Sequence, residues 1–274
     1  MTPTLAGIAG FAALFALLAL RMPIGLSMML VGAVGIAVLN STTAALNILG
    51  SFAFSYSAVF TLSVIPLFVL MGAFANVSGM GSDMYRAAHA FVGHLRGGLA
   101  AATILACAGF AALSGSSIAS AATMGKVALP EMERYRYSPR LATGSIAAGG
   151  TLGILIPPST VLIVYALLTE QSVGRLFLAG VLPGLLLTAL FVATVLIVAI
   201  LNPDAGPSGA RVPMGQRFKT LLNSGALIFV VVIVLGGIYA GIFTVTEAAA
   251  VGAFLTFLHA LWSRKMTIAK FLEA

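Results

Sequence analysis

Charged residues are scarce in this sequence: 8% of its 274 residues are Asp, Glu, Lys or Arg, against about 25% in a soluble domain, whose surface must face water. That shortage excludes an ordinary soluble globule. Cysteine is nearly absent as well. Cys107 is the only one, so neither a disulfide framework nor a cysteine-rich metal site can form within the chain. Lying in an apolar run, it reads as a packed core thiol. The sequence has no HExxH, P-loop or paired-cysteine signature, which leaves the usual zinc and nucleotide readings unsupported. No basic run is long enough for a nucleic-acid patch, so the net charge of +7 does not point to nucleic acid. The N-terminus lacks a basic n-region and a small-residue cleavage site, and Leu5 to Leu20 therefore reads as a first span rather than a signal peptide.

What is abundant is apolar: 60% of the residues. The surface of such a chain must face lipid, and the fold class expected is an all-α integral membrane protein, a polytopic helical bundle. A span takes about 20 mostly apolar residues. Such runs fall at 4–20, 24–39, 52–76 (with Pro66 inside), 176–200, 221–243 and 246–262. Between 79 and 96 the pattern becomes amphipathic, with Met84, Ala88, Phe91 and Leu95 on one helical face. This predicts a short helix at the membrane surface, with His89 and His94 exposed. The stretch 202–220, broken by Pro203, Pro207, Gly209 and Pro213, reads as a polar cytoplasmic linker.

Two segments do not behave as simple spans. The run 97–129 is apolar but interrupted by Ser114-Gly115-Ser116-Ser117. The arm after the serines, Ile118 to Leu129, reaches roughly 18 Å as a helix, too short for a hydrocarbon core of about 30 Å. A re-entrant helical hairpin is expected. The run 141–169 contains Gly149-Gly150-Thr151-Leu152-Gly153 and then Pro157-Pro158. Proline removes a helix donor and pushes its predecessor out of the α region, so a discontinuous helix with an unwound middle is expected. The chain then divides into scaffold spans and the interfacial helix (1–96), a transport-type segment (97–201), the linker (202–220) and the start of a second repeat (221–274).

Charge tests this topology. With the N-terminus outside and 97–129 re-entrant, thirteen of the fourteen basic residues fall on the cytoplasmic side, Lys126 among them, and only Arg175 falls outside. That is a strong positive-inside bias. If 97–129 crossed fully, every later basic loop would change sides. A weak internal echo supports an inverted repeat: Arg21 to Ser27 precedes a helix with Val31-Gly32-Ala33, and Phe243 to Ala249 precedes one with Val251-Gly252-Ala253, running the opposite way.

The serine turn and the broken helix are the places where chemistry is expected. Unwound backbone at membrane depth survives only inside protein or beside a watery cavity, and half-helix ends present dipoles to ions. Serine hydroxyls and freed carbonyls are hard oxygen donors that suit a small cation such as sodium. Close helix packing through small residues is the competing explanation. Glu247, in Thr-Val-Thr-Glu-Ala, reads as a helix-capping carboxylate, with a functional intramembrane carboxylate as the alternative. Gly115-Ser116-Ser117 with His259 superficially resembles a serine protease dyad, but His259 lies near the basic Arg264-Lys265 while the serines are expected to be deep. A channel would need a polar series along one helix, and none is present.

Gly115-Ser116-Ser117-Ile118-Ala119-Ser120-Ala121-Ala122 resembles the first hairpin of the DctM-type large membrane subunit of TRAP (tripartite ATP-independent periplasmic) transporters. The likeness continues in order along the chain. It takes in Gly153-Ile154-Leu155-Ile156-Pro157-Pro158-Ser159, Ser172 to Phe177, Ala179 to Gly184, and Gly236 to Gly252, where Val245 stands in place of the family's usual proline. The resemblance implies an elevator-type, inverted-repeat importer of organic acids such as C4-dicarboxylates in the bacterial inner membrane, with no enzymatic activity and no cofactor. It implies a sodium gradient as the driving force, with sodium as the coupling ion. It also implies two partners, a small membrane subunit and a periplasmic substrate-binding protein. By the same resemblance, ion and substrate are held by Ser114, Gly115, Ser116, Ser117, Gly150, Thr151, Gly153, Pro157, Pro158 and Ser159. Sodium would sit on backbone or hydroxyl oxygens of Ser114, Ser116, Ser117, Gly150 and Gly153. The family's second hairpin and second Pro-Pro span have no counterpart here. A C-terminally truncated sequence or gene fragment, unable to transport alone, is therefore expected.

Overall fold

The computed structural model describes residues 2–52, 54, 60–263 and 266. Among them the regular structure is all helical. Two compact units divide the chain, Met1–Leu62 and Ser63–Ala274.

The first unit pairs α1 (Pro3–Ala19) with α2 (Ile24–Leu39). Pro3 at the first helical position starts α1, where a missing N–H costs nothing. Pro23 likewise stands just before α2. No residue of α1 is buried and only Ser27 of α2 is, so both helices carry their apolar side chains outward, as lipid-facing helices do. The helices meet through small residues: a Cβ on Gly10 would touch Val31 at 3.5 Å. The short α3 (Thr42–Asn47), capped by Ser41, leads into a π turn, Ile48–Phe52. The expected span 52–76 lies partly outside the described residues. Continuous α-helix begins only at α4 (Val64–Ser78), after a 3-10 turn over Phe60–Ser63. Pro66 sits in the first turn of α4, where it initiates rather than kinks.

The second unit holds the core. After α4 the chain turns through left-handed Gly79 into α5 (Met80–Val92), bent by 66° from α4. The amphipathic α5 packs on the next helix and buries Tyr85, Ala87, Ala88 and Ala90, while Phe91 and Leu95 remain outside. His89 and His94 are not exposed as expected. His89 is half-buried and stacks on Tyr85, and the Nδ1 atom of His94 is buried with no hydrogen-bond partner among the described residues.

A helical hairpin follows, α6 (Gly98–Ser114) and α7 (Ser117–Arg134). The second arm is longer than expected. It continues past Leu129 through Pro130 to Arg134, because proline removes one hydrogen bond without unwinding a turn already packed on its neighbours. Lys126 consequently lies in the middle of α7 and not in a basic loop. Then come α8 (Pro139–Leu155) and α9 (Thr160–Leu168). The long α10 (Val173–Leu201) buries Phe177, Gly180, Gly184, Thr188, Val195 and Ala199 along one stripe and exposes Leu178, Leu182, Leu185, Leu186 and Leu190 outward. In water each such exposed leucine would forgo roughly 1.5–3 kcal/mol; in lipid it forgoes nothing.

The expected linker 202–220 is ordered. A 3-10 turn (Pro203–Ala205) and an extended strap lie over the open end of the hairpin, and a helix, α11 (Met214–Asn223), occupies its second half. Among the described residues, four hydrogen bonds tie the strap to the hairpin base. Gly97 N donates to Gly206 O (2.8 Å), Ser138 N to Ala205 O (3.0 Å), Gly209 N to Gly93 O (3.0 Å), and the Tyr137 hydroxyl to Pro207 O (2.9 Å). Helix α12 (Gly225–Tyr239) leaves α11 at a 53° bend, and α13 (Val245–Trp262) packs on α4, with Gly252 against Met71 and Phe74 against Phe257 (centroids 5.2 Å).

Among the described residues, three stretches are long and apolar enough to cross a membrane unaided: Pro139–Leu168, Val173–Leu201 and Val245–Trp262. The two bent pairs, α4 with α5 and α11 with α12, meet the same criterion jointly. This is a polytopic membrane architecture.

Candidate functional site

The hairpin turn is two residues long. Gly115 ends α6 in the left-handed conformation (φ 57°), which L side chains rarely adopt. Ser116 then caps α7, its hydroxyl accepting the amide of Ala119 at 3.3 Å. The break between α8 and α9 is built the same way. Ile156 is extended, the Pro157-Pro158 bond is cis, and Ser159 caps α9 by accepting the amide of Leu162 at 3.4 Å.

The sequence led us to expect unwinding over Gly149 to Gly153. The structure corrects this: α8 runs unbroken to Leu155. The glycines serve close approach. A Cβ on Gly149 would lie 2.8 Å from the Cys107 sulfur, one on Gly150 2.8 Å from Ala121 Cβ, and one on Gly153 2.7 Å from the Ser116 carbonyl oxygen. The break is confined to residues 156–159, where two consecutive residues lack an N–H. Pro157 and Pro158 hold the positions whose amides would serve the carbonyls of Gly153 and Ile154. The hydroxyl of Ser159 replaces one of them, donating to Ile154 O at 2.6 Å.

The turn and the break touch. Gly115 O accepts from Thr160 twice, from its amide at 3.3 Å and its hydroxyl at 3.1 Å. A Cβ on Gly115 would meet Pro158 O at 2.6 Å. From the far side, Gly180 and Gly184 of α10 lie close against Leu155 O and Ile156, and Gly72 of α4 lies against Ser114. Four helix ends therefore converge in opposite pairs: the C-terminus of α6 beside the N-terminus of α9, and the C-terminus of α8 beside the N-terminus of α7. Each end carries roughly half an elementary charge. Carbonyl ends and amide ends of helices thus lie together at one place.

Of the residues predicted for the site, Ser114, Gly115, Ser116, Ser117, Gly150, Gly153, Pro157, Pro158 and Ser159 are gathered at this junction. Thr151 is not: its side chain is exposed on the opposite face of α8 and donates to Ala148 O at 2.6 Å. The Ser114 hydroxyl is buried and paired with that of Ser120 at 2.9 Å. Sequence reasoning missed Ser120, Thr160, Gly180 and the Thr123–Asn76 pair (3.2 Å) on the hairpin's flank. Thr160 carried a usable signal, a hydroxyl residue just after a serine cap and two residues beyond Pro158. Glu247 forms the capping box expected of it: Thr244 N donates to its carboxylate at 2.8 Å and Glu247 N donates back to Thr244 Oγ1 at 3.3 Å.

A family model described as the tripartite ATP-independent periplasmic transporter, DctM component, matches residues 11–274. Similar proteins include the C4-dicarboxylate TRAP transporter large permease protein DctM of Pseudomonas aeruginosa, 46% identical over 209 residues that cover 76% of this chain and 48% of the relative. The protein of the same name from Rhodobacter capsulatus is 36% identical over 273 residues, covering 93% and 60%. The sialic acid TRAP transporter large permease protein SiaM of Vibrio cholerae is 35% identical over 257 residues, covering 92% and 58%. The chain spans about half the length of the curated relatives it matches.

Proposed function

We propose that this chain, which belongs to the tripartite ATP-independent periplasmic transporter DctM family, supplies the first ion-and-substrate half-site of a permease importing organic acids on a sodium gradient. The family is one of transporters, not of enzymes. The observation that carries the reading is the junction at Gly115 and Thr160, where helix ends of both polarities meet on unwound backbone. Carbonyl oxygens there suit sodium, and helix N-terminal amides suit a carboxylate. The names of the relatives, C4-dicarboxylate and sialic acid permeases, both concern carboxylates.

In this reading the hairpin α6–α7 is re-entrant, the N-terminus is periplasmic, and the protein lies in the bacterial inner membrane. Its partners are a small membrane subunit and a periplasmic binding protein that delivers the acid. Helices α12 and α13 open the second of two inverted repeats, and the substrate is left at the level of an organic acid.

Thermal unfolding of the purified chain in sodium chloride and in potassium chloride at equal ionic strength tests the reading. Specific stabilisation by sodium, lost in Gly115→Val, supports it. Equal midpoints in the two salts, or a sodium effect that Gly115→Val retains, refute it.

A further inference from the structure

On the exposed face of α7, Lys126 is the one charge between Ser117 and Pro130, and Glu133, seven residues on, shares that face near the C-terminal end. Lys126 is nine residues below the turn at Ser117 and eight above Arg134, roughly 13 Å and 12 Å along the axis. Its helical neighbours three and four positions away are Ala122, Thr123, Leu129 and Pro130, none of them acidic. Among the described residues no carboxylate lies within ion-pair distance of it; Arg86 and Asp83 form the one pair, at 3.6 Å. Ile118 (84% exposed), Ala119 and Ala122 share its face, and they lead from the lysine to the turn.

In the re-entrant reading of the hairpin, a lone ammonium at this depth is costly in hydrocarbon. Snorkelling to the near surface is the usual relief, but the helix direction opposes it. Cα–Cβ bonds tilt toward a helix N-terminus, and the N-terminus of α7 is the turn, so Lys126 is aimed toward the candidate site. The same turn of helix carries a second polar need. Position 130, whose amide would serve the Lys126 carbonyl, is a proline. An ammonium and an under-served carbonyl on one turn both require water.

We infer that the Ile118–Ala122–Lys126 face of α7 lines a water-filled passage between the candidate site and the cytoplasm, with Lys126 as the cation that draws the carboxylate substrate along it. The small side chains of Ala119 and Ala122 leave room for an organic acid, and the amide end of α7 supplies a second positive pole ahead of Lys126. This rests on the reading of the hairpin as re-entrant and of the cargo as an organic acid.

Ala122→Cys, one turn from Lys126, reports on both water and potential. The full chain is placed in phosphatidylcholine liposomes, so that no anionic headgroup competes, and reaction rates with an anionic and a cationic methanethiosulfonate reagent are compared. The unsubstituted chain, whose Cys107 is buried, and Leu190→Cys, on the exposed leucine side of α10, serve as references. The inference expects Ala122→Cys to react with both reagents, the anionic one favoured. It expects that preference to fall at least about fivefold with Lys126→Gln and to survive Lys126→Arg. Succinate should slow the anionic reagent more than chloride of equal ionic strength does, and only when the cation is present. A cysteine as inert as that of Leu190→Cys, a preference untouched by Lys126→Gln, or succinate acting no more than chloride would overturn it. Labelling requires neither sodium nor transport, so a missing sodium effect on unfolding with an intact rate preference refutes the ion-site reading alone.

Discussion

Gly115 and Thr160, 45 residues apart in the chain, are joined by two hydrogen bonds to one carbonyl oxygen, at 3.3 Å from the amide and 3.1 Å from the hydroxyl. This contact ties the hairpin turn to the helix break. Thr160→Val keeps the shape of the side chain and deletes one of the two bonds. It should lower stability by about 1 kcal/mol, read as a reduced unfolding midpoint, with Thr160→Ser restoring most of it. An unchanged midpoint for Thr160→Val would show that the two elements are held together by packing alone.

The glycines of α8 make a sharper prediction because the helix contains its own control. A methyl at position 153 meets the backbone at Ser116, which cannot step aside, whereas Gly144 on the same helix faces open space. Gly153→Ala should destabilise by about 1–3 kcal/mol. Gly144→Ala should stabilise by about 0.5–1 kcal/mol through helix propensity. Equal effects of the two changes in thermal or denaturant unfolding would contradict the close-approach role assigned to Gly153.

Much of this was legible in the chain. The bounds of α2 match the run 24–39, and α13 begins at its Thr-Val-Thr-Glu capping pattern, because apolar runs and caps are local features. The turn at Ser114 to Ser117 was legible for the same reason. The glycines before Pro157 were misread because a glycine run looks the same whether it breaks a helix or lets another backbone approach. Only the positions of Cys107, Ala121 and Ser116 across the contact decide between the two. The Gly115–Thr160 bond and the strap over the hairpin base depend on contacts between distant positions, which no local pattern carries.

That strap yields a third prediction. The Tyr137 hydroxyl accepts the Leu99 amide at 3.2 Å and donates to Pro207 O at 2.9 Å, so one side chain fixes both the start of α6 and the strap. Tyr137→Phe leaves a buried amide and a carbonyl unserved, at a cost of about 1–3 kcal/mol. Trypsin should cut after Arg211 faster in this variant than in the unsubstituted chain. Equal cleavage rates would mean that the backbone bonds alone hold the strap.

The same hydroxyl should respond to alkali. Burial raises its pKa above the ordinary value of 10.0. A group whose folded pKa is raised contributes stability that is fully present below the unfolded value and lost as pH rises through the folded one. Unfolding midpoints should therefore fall more steeply above pH 10 in the unsubstituted chain than in Tyr137→Phe, and run parallel below that pH. Parallel curves throughout would remove Tyr137 from the account of alkaline stability.

The central claim is that sodium is held where the hairpin turn meets the helix break. Hydrogen–deuterium exchange of the purified chain, in sodium and in potassium chloride of equal strength, locates ion binding directly. The account predicts that sodium slows exchange in the peptides covering 113–120 and 156–162, with no change along α10. Slowing confined to other segments, or the same exchange in both salts, would contradict it.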